Sequence, residues 1–464
     1  MNEITDREDK KRLTNNEPVP MGDPGDVKIG GIKDFWNKYK IYCIIGICIF
    51  VLVIIITLII IFATQKDEKV KNNSIRLIYY TSDDEVEVTL FSSKIIPHIS
   101  SMTIDGKPII DFIHYYTFNT AGEHIININF NDNLASLSNL FEYNSYLIQA
   151  DFSEMESSNI TDTSKMFYQC TNLISVNLAN FNTPNLIDIS YMFDNCHSLT
   201  YLDISSMDTS NVVNMSYLFN GCYNLESINL NNFNTKNANN MRNMFASCVS
   251  LKDINLRNFD TSKVKDMSKM FYKCFSLPSI DVSNFRTSEV KSMESMFSFC
   301  TSLENLNLQN FDTSKVTDMS SMFSSCHMLT WLNINNLKTQ NVQKMNNMFN
   351  NCANLKQLNL KSFDTSSVLN MGMMFYGCQS ITSLDLTNFR TKQVANMGGM
   401  FGKCLKLETV DMRNFESFGI KINANLFNEV ADTGTIYYNK ELFNKNLLEY
   451  KTINNWNKID VSSN

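Results

Sequence analysis

Residues 303–326 read LENLNLQNFDTSKVTDMSSMFSSC, and this stretch recurs along the chain with the same spacing. Leu303, Leu306, Leu308 and Phe311 form an L-x-x-L-x-L-x-x-F pattern, which suits a short strand and the turn that leaves it. Val316, Met319, Phe323 and Cys326 are then spaced by three, four and three residues. That spacing predicts one face of a helical stretch, with Thr313 and Ser314 capping its start. A single unit cannot bury both faces, whereas stacked copies share one continuous core.

Cysteines at 170, 196, 222, 248, 274, 300, 326, 352, 378 and 404 fall 26 residues apart without an insertion. A threonine column runs in the same phase from Thr183 to Thr391, and a Met-Phe pair precedes nearly every Cys. A fixed period of this length marks a repeat array. Leu140-Phe141 and Leu426-Phe427 keep the phase but place Asn144 and Val430 where Cys would stand, as degenerate end copies do. The expected fold is therefore an α/β solenoid of about 12 copies, with a strand sheet about 60 Å long.

The segments MSSMFSSCHMLTWLNINN and LENLNLQNFDTSKVTDMSSMF resemble the BspA-type leucine-rich repeats of microbial and protist surface proteins, over residues 137–430. The motifs that carry the likeness are M-x-x-M-F-x-x-C-x-x-L and F-D-T-S-x-V. The resemblance implies a cell-surface protein engaged in adhesion to host molecules or neighbouring cells, with no catalytic residues to transfer. It differs from bacterial members in carrying an N-terminal membrane anchor in place of a signal peptide with a wall or lipid anchor.

That anchor is the run 41–63, IYCIIGICIFVLVIIITLIIIFA, 23 positions without a charge. A hydrocarbon core needs roughly 20 helical residues, so the run is expected to span the membrane. Phe35, Trp36, Tyr39 and Tyr42 crowd its start, as interfacial rings do. The polar leader of 40 residues and the poor cleavage site at Ala63-Thr64-Gln65 argue for an uncleaved signal anchor. Four basic residues flank each side; Arg7, Lys10, Lys11 and Arg12 tilt the balance toward a cytosolic N-terminus.

The domain order read from the sequence is a disordered cytosolic tail (1–40), the membrane helix (41–63), a β-rich membrane-proximal cap (66–136), the leucine-rich-repeat solenoid (137–430) and a C-terminal cap (431–464). Localisation is expected at the plasma membrane, single-pass, with the C-terminal domain extracellular. Candidate glycosylation sequons stand at Asn72, Asn159 and Asn214.

A net charge of -7 offers no basic stripe for a phosphate backbone, which argues against nucleic acid as a partner. His98, His114, His124, His197 and His327 sit at unrelated phases, and no phosphate loop, nucleophile elbow or paired Cys-x-x-Cys occurs. An enzyme, a cofactor and a metal centre are accordingly not expected. The cysteine column leaves three readings: disulfides between neighbours, a metal-thiolate stack, or buried thiols. Helices lying about 8–10 Å apart would be too distant for bridges, which favours thiols packed as core.

The expected binding face is the concave sheet, with two exposed columns flanking the inner Leu of each strand. One runs from Asn177 to Asp411 and the other from Ser175 to Thr409. Trp331 and Tyr201 are the candidate anchors, and Asp203, Asp253, Asp281, Asp385 and Asp411 form an acidic strip suited to a cationic patch. The partner is a protein or glycan on a host or neighbouring cell. A passive surface coat and an intracellular membrane-tethered scaffold are the alternatives.

Overall fold

The computed structural model describes residues 73–416, 425–443, 448 and 453–462. The leader, the apolar run 41–63 and Asn72 lie outside the described residues. Among the described residues no helix is long and apolar enough to cross a membrane.

Most repeats contribute a three-residue strand. Asn305–Asn307 pairs in parallel with Trp331–Asn333, one period on, so that Leu306 faces Leu332. Leu306 is buried and its flanking residues are exposed, as strand alternation requires. A second ladder of single parallel bridges runs along another side of the turn, from Ser136 through Asp162 and each 26-residue equivalent to Asn396. Eleven turns are linked in this way. The strand ladder is less regular. Pro278 has no amide to donate to the preceding repeat, and the strand pairing lapses between residues 253–255 and Ser279. Pairing also lapses between 175–177 and 201–203, between 227–229 and 253–255, and on both sides of 357–359, with no such cause in the sequence.

The helical half expected in each repeat is absent; the described residues of the repeats contain no helix, and a short 3-10 segment, Ser93–His98, lies in the N-terminal cap. The architecture is a β-solenoid of strands and turns, not an α/β one. In the stretch from Met319 to Cys326 the amides of Met319, Ser321, Phe323 and Ser325 donate to carbonyls of the next repeat, at Lys344, Asn346, Met348 and Asn350, over 2.6–3.0 Å. The intervening amides of Met322, Ser324 and Cys326 donate three residues back. A helix would need every amide for its own carbonyls four residues earlier. Ser321 and Ser325 are left-handed, with φ of 57° and 61°, which breaks the right-handed run every fourth residue. Four-residue turns of this kind also point residues i, i+3, i+4 and i+7 inward, which is why their apolar spacing imitates a helix.

The core is a set of columns. Phenylalanines from Phe141 to Phe427 stack one per repeat, with ring centroids 4.9–6.0 Å apart. Each fully buried side chain of this size contributes about 1.5–3 kcal/mol of transfer free energy. Met, Leu and Val columns fill the remaining space.

At the N-terminal end, the strands Lys107–Ile109, Ile99–Ile104, Gly122–Phe130, Ser74–Thr81, Leu147–Asp151 and Ser175–Asn177 form one sheet in that order. The antiparallel cap therefore runs directly into the first parallel repeat strands, through Leu77 against Ala150 and Ala150 against Val176. At the other end Thr435–Tyr438 pairs with Thr409–Asp411 at the repeat spacing, and Asn457–Asp460 adds one more strand. Trp456 covers the last Phe of the stack, 5.9 Å from Phe427, and its Nε1 donates to the Ala431 carbonyl at 2.8 Å.

Candidate binding face

The two columns flanking the inner Leu do face solvent. Trp331 and Tyr201 are half exposed, at 50% and 52%. Trp331 borders a shallow depression of about 440 Å³ shared with Asn333, Asn335, Lys356, Gln357 and Asn359. Tyr201 stands five repeats away, about 24 Å at the strand spacing of ~4.8 Å, so the two anchors belong to one surface but not to one pocket.

The Asn/Asp column has a structural task at the end of each strand. Its side-chain oxygen accepts the amide two residues on: Ser205 to Asp203 at 2.9 Å, Ser283 to Asp281 and Thr387 to Asp385 at 3.1 Å, Gln309 to Asn307 at 3.1 Å. This closes the turn, a bond that the short acceptors of Asn and Asp make better than a Ser or Thr hydroxyl does. Hydrogen bonds from Ser283 and Thr387, in each case the largest influence, hold the Asp281 and Asp385 carboxyls below the usual range. Burial raises Asp203, but bonds from Ser205, Asn229 and Tyr201 together outweigh it and the net shift is downward.

Nor is the acidic strip uncompensated. Arg257 lies near Asp281, and Lys361 and Arg413 near Asp385, while Arg413 Nε donates to Asp411 at 2.9 Å. Asp253 is exposed and stands in the other column, two repeats beyond Tyr201.

Of the sequons, Asn159 is exposed. Asn214 sits inside the bridge ladder, accepts from Ser216 through Oδ1 at 2.9 Å and donates through Nδ2 to Asp188 at 3.3 Å. A glycan on that Nδ2 would displace the Asp188 bond.

The repeat cysteines are all buried free thiols. Each donates to the carbonyl of the Phe 29 residues earlier, as Cys326 does to Phe297 at 3.1 Å. Burial pushes the thiols up, those of Cys274, Cys326 and Cys404 to about 12. The expected helix-to-helix separation does not exist, since the turns stack at ladder spacing. Each sulfur is instead bonded to a backbone carbonyl. Threonines of the repeated column are buried as well and clasp the next repeat, so they present no hydroxyl array to a ligand.

The histidines are dispersed. His124 bonds Asp105 at 2.9 Å inside the cap, His98 bonds Asp132 at 2.8 Å, and His197 stacks on Tyr223. Among the described residues no group of three His, Cys, Asp or Glu is placed to hold a metal ion.

A repeat solenoid with a solvent-facing strand column is thus the class that fold and surface define. The chain belongs to the family described as "Mycoplasma protein of unknown function, DUF285", whose model matches residues 135–255, 239–331 and 326–433, more than half of the chain. Among solved structures, it is similar to a leucine-rich-repeat protein of Leptospira interrogans, at 14% identity over 66% of this chain and 80% of that one, with a TM-score of 0.24. It is also similar to the functional domain of InlJ from Listeria monocytogenes, described as including a cysteine ladder, at 12% identity over 60% of this chain and 53% of that one, with a TM-score of 0.16. No curated protein matches the sequence.

Proposed function

We propose that this solenoid is a binding module rather than a catalyst, displayed on the cell surface by the apolar run 41–63, with its strand face as the contact surface for a protein or glycan of a host or neighbouring cell. The observation that carries the reading is Trp331, a half-exposed indole beside a shallow polar depression, in a column otherwise held mainly by small or polar residues. Exposed aromatics of this kind supply a disproportionate share of interface energy. The likeness of the repeats to BspA-type surface proteins supports adhesion as the purpose.

The test has two arms. In intact cells, an epitope at Asn464 should be labelled and one at Asn2 should not; the reverse excludes surface adhesion. For a partner cross-linked to the displayed protein, Trp331→Ala combined with Asp203→Asn and Asp281→Asn should weaken binding. Asparagine retains the turn-closing oxygen, so these changes remove charge without opening the strand end. Unchanged affinity would remove the strand face as the site. The unpaired thiols suit the alternative of an intracellular membrane-tethered scaffold, and the epitope experiment separates the two.

A further inference from the structure

The position held by Ser321 in the unit quoted above carries Tyr191 and Tyr217 in two successive repeats. Lys165 occupies it one repeat before them and Asn243 one repeat after, so the two phenols form an isolated pair in that column. Both residues are left-handed, with φ of 58° and 59°, and the Tyr191 amide donates to the Ser216 carbonyl at 3.0 Å. That bond sets the two side chains in register across the stack. Their rings lie face to face, with centroids 4.5 Å apart and planes 6° from parallel, and both remain partly open to solvent. The phenylalanine column of the core stacks in the same way but is buried.

Two further tyrosines adjoin the pair without sharing its geometry. Tyr168 meets Tyr191 edge-on, at 6.1 Å and 81°, and Tyr143 meets Tyr168 edge-on, at 5.2 Å and 82°. An edge-on ring aims its rim at the middle of its neighbour, whereas a parallel pair sets rim over rim. Among the described residues Tyr191 and Tyr217 are the one parallel pair of tyrosines, so they bring the carbons ortho to their hydroxyls closest to alignment. Arg242 steadies the arrangement: its Nε donates to Tyr217 Oη at 3.4 Å and its Nη1 to Ser268 Oγ at 2.8 Å.

We propose that Tyr191 and Tyr217 are a site of oxidative modification, coupled through ortho ring carbons into a dityrosine that joins two successive repeats. The oxidant is hydrogen peroxide acting through a haem peroxidase. Each phenol gives up one electron and one proton, and the two neutral phenoxyl radicals form one C–C bond. The hydrogens on the joined carbons then move to the phenol oxygens. One peroxide is reduced and leaves as two waters, while the protein loses two hydrogen atoms. Rings already held in contact couple within one molecule, which turns a bimolecular encounter into a unimolecular step. Partial exposure leaves them room to turn as the bond forms.

The inference does not depend on the strand face. It is tested on the full-length chain in detergent, diluted to limit encounters between molecules and treated with hydrogen peroxide and a haem peroxidase. Asp194, Asp203 and Asp208 lie between the two tyrosines, so cleavage at aspartate separates them unless they are bonded. Mass spectrometry should find the Tyr191 and Tyr217 peptides joined, with two hydrogens fewer than their sum. Tyr191→Phe and Tyr217→Phe each keep a stacked ring and should each abolish that species. Tyr201→Phe, on the strand face, should leave it unchanged. Equal thermal midpoints before oxidation verify that the variants fold, and either phenylalanine variant suffices should the other fail. Absence of the joined peptides, or dityrosine formed mainly at other tyrosines or between molecules, overturns the proposal.

Discussion

Thr313 and Lys338 are joined twice: Thr313 Oγ1 donates to the Lys338 carbonyl at 2.8 Å and accepts the Lys338 amide at 2.8 Å. The same double clasp links Thr339 to Asp364, Thr365 to Arg390 and Thr391 to Glu416, each tying one repeat to the next. In a solenoid, stability is a sum of such nearest-neighbour terms, so the clasp sets how strongly adjacent turns cooperate.

Thr313→Val keeps the shape and removes the hydroxyl, leaving an amide and a carbonyl of Lys338 short of a partner in a buried layer. The expected loss is about 1–3 kcal/mol, read as a lower urea midpoint. Thr313→Ser should recover most of it. A valine variant as stable as the parent would show that the hydroxyl contributes nothing.

The cysteine column should behave as ten inert thiols. With Cys326 raised to about 12 by burial, almost no thiolate exists at pH 8, and native protein should resist iodoacetamide at all ten repeat positions. Denaturation without reductant should expose all ten to modification. Mass spectrometry showing pairs still protected after denaturation would establish disulfides and reverse the assignment.

The period, the inward Leu, Phe and Cys columns and the outward place of Trp331 were legible in the residues, because every turn must bury the same positions against its neighbours. The helix was misread for a physical reason. Four-residue turns and an α-helix share the i, i+3, i+4, i+7 apolar pattern, and the left-handed positions that tell them apart are held by Tyr217, Lys269 and Met373 as well as by glycine at Gly221 and Gly377. The Thr column was expected to cap a helix start; there is no helix, and its hydroxyls bond the amide and carbonyl of the next repeat instead, because periodicity alone does not reveal what faces what across a stack. For the same reason the Asp column looked like a ligand strip: Asp281 is turned to the Ser283 amide two residues away.

The left-handed turns give a discriminating substitution. Ser325 has φ of 61°, and Gly377 occupies the same place two repeats later with φ of 74°. A non-glycine residue there costs roughly 1–2 kcal/mol, partly offset by the greater freedom of glycine in the unfolded chain. Ser325→Gly should therefore leave the thermal midpoint unchanged or raise it. In a helix the same change would lower stability by about 0.5–1 kcal/mol, so a clear drop in the midpoint would contradict the turn geometry.

Asp194 supplies the last prediction. Its carboxylate is buried, accepts from Asn195 Nδ2 at 2.9 Å and Asn220 Nδ2 at 2.7 Å, and has no ion-pair partner among the described residues. Burial pushes its pKa up to about 6, against a smaller downward pull from Asn220. For an acid raised in the folded state, the protonated form fits best. Stability from this group is full below the unfolded value near 4 and is lost as pH rises through about 6. Asp194→Asn removes the charge and keeps an acceptor for both amides. It should stabilise the protein by the order of 2 kcal/mol at pH 7.5, with the gap closing toward zero at pH 4. Urea melts of parent and variant at the two pH values decide the matter. A gap that persists or widens on acidification would mean that the carboxylate is not strained by burial.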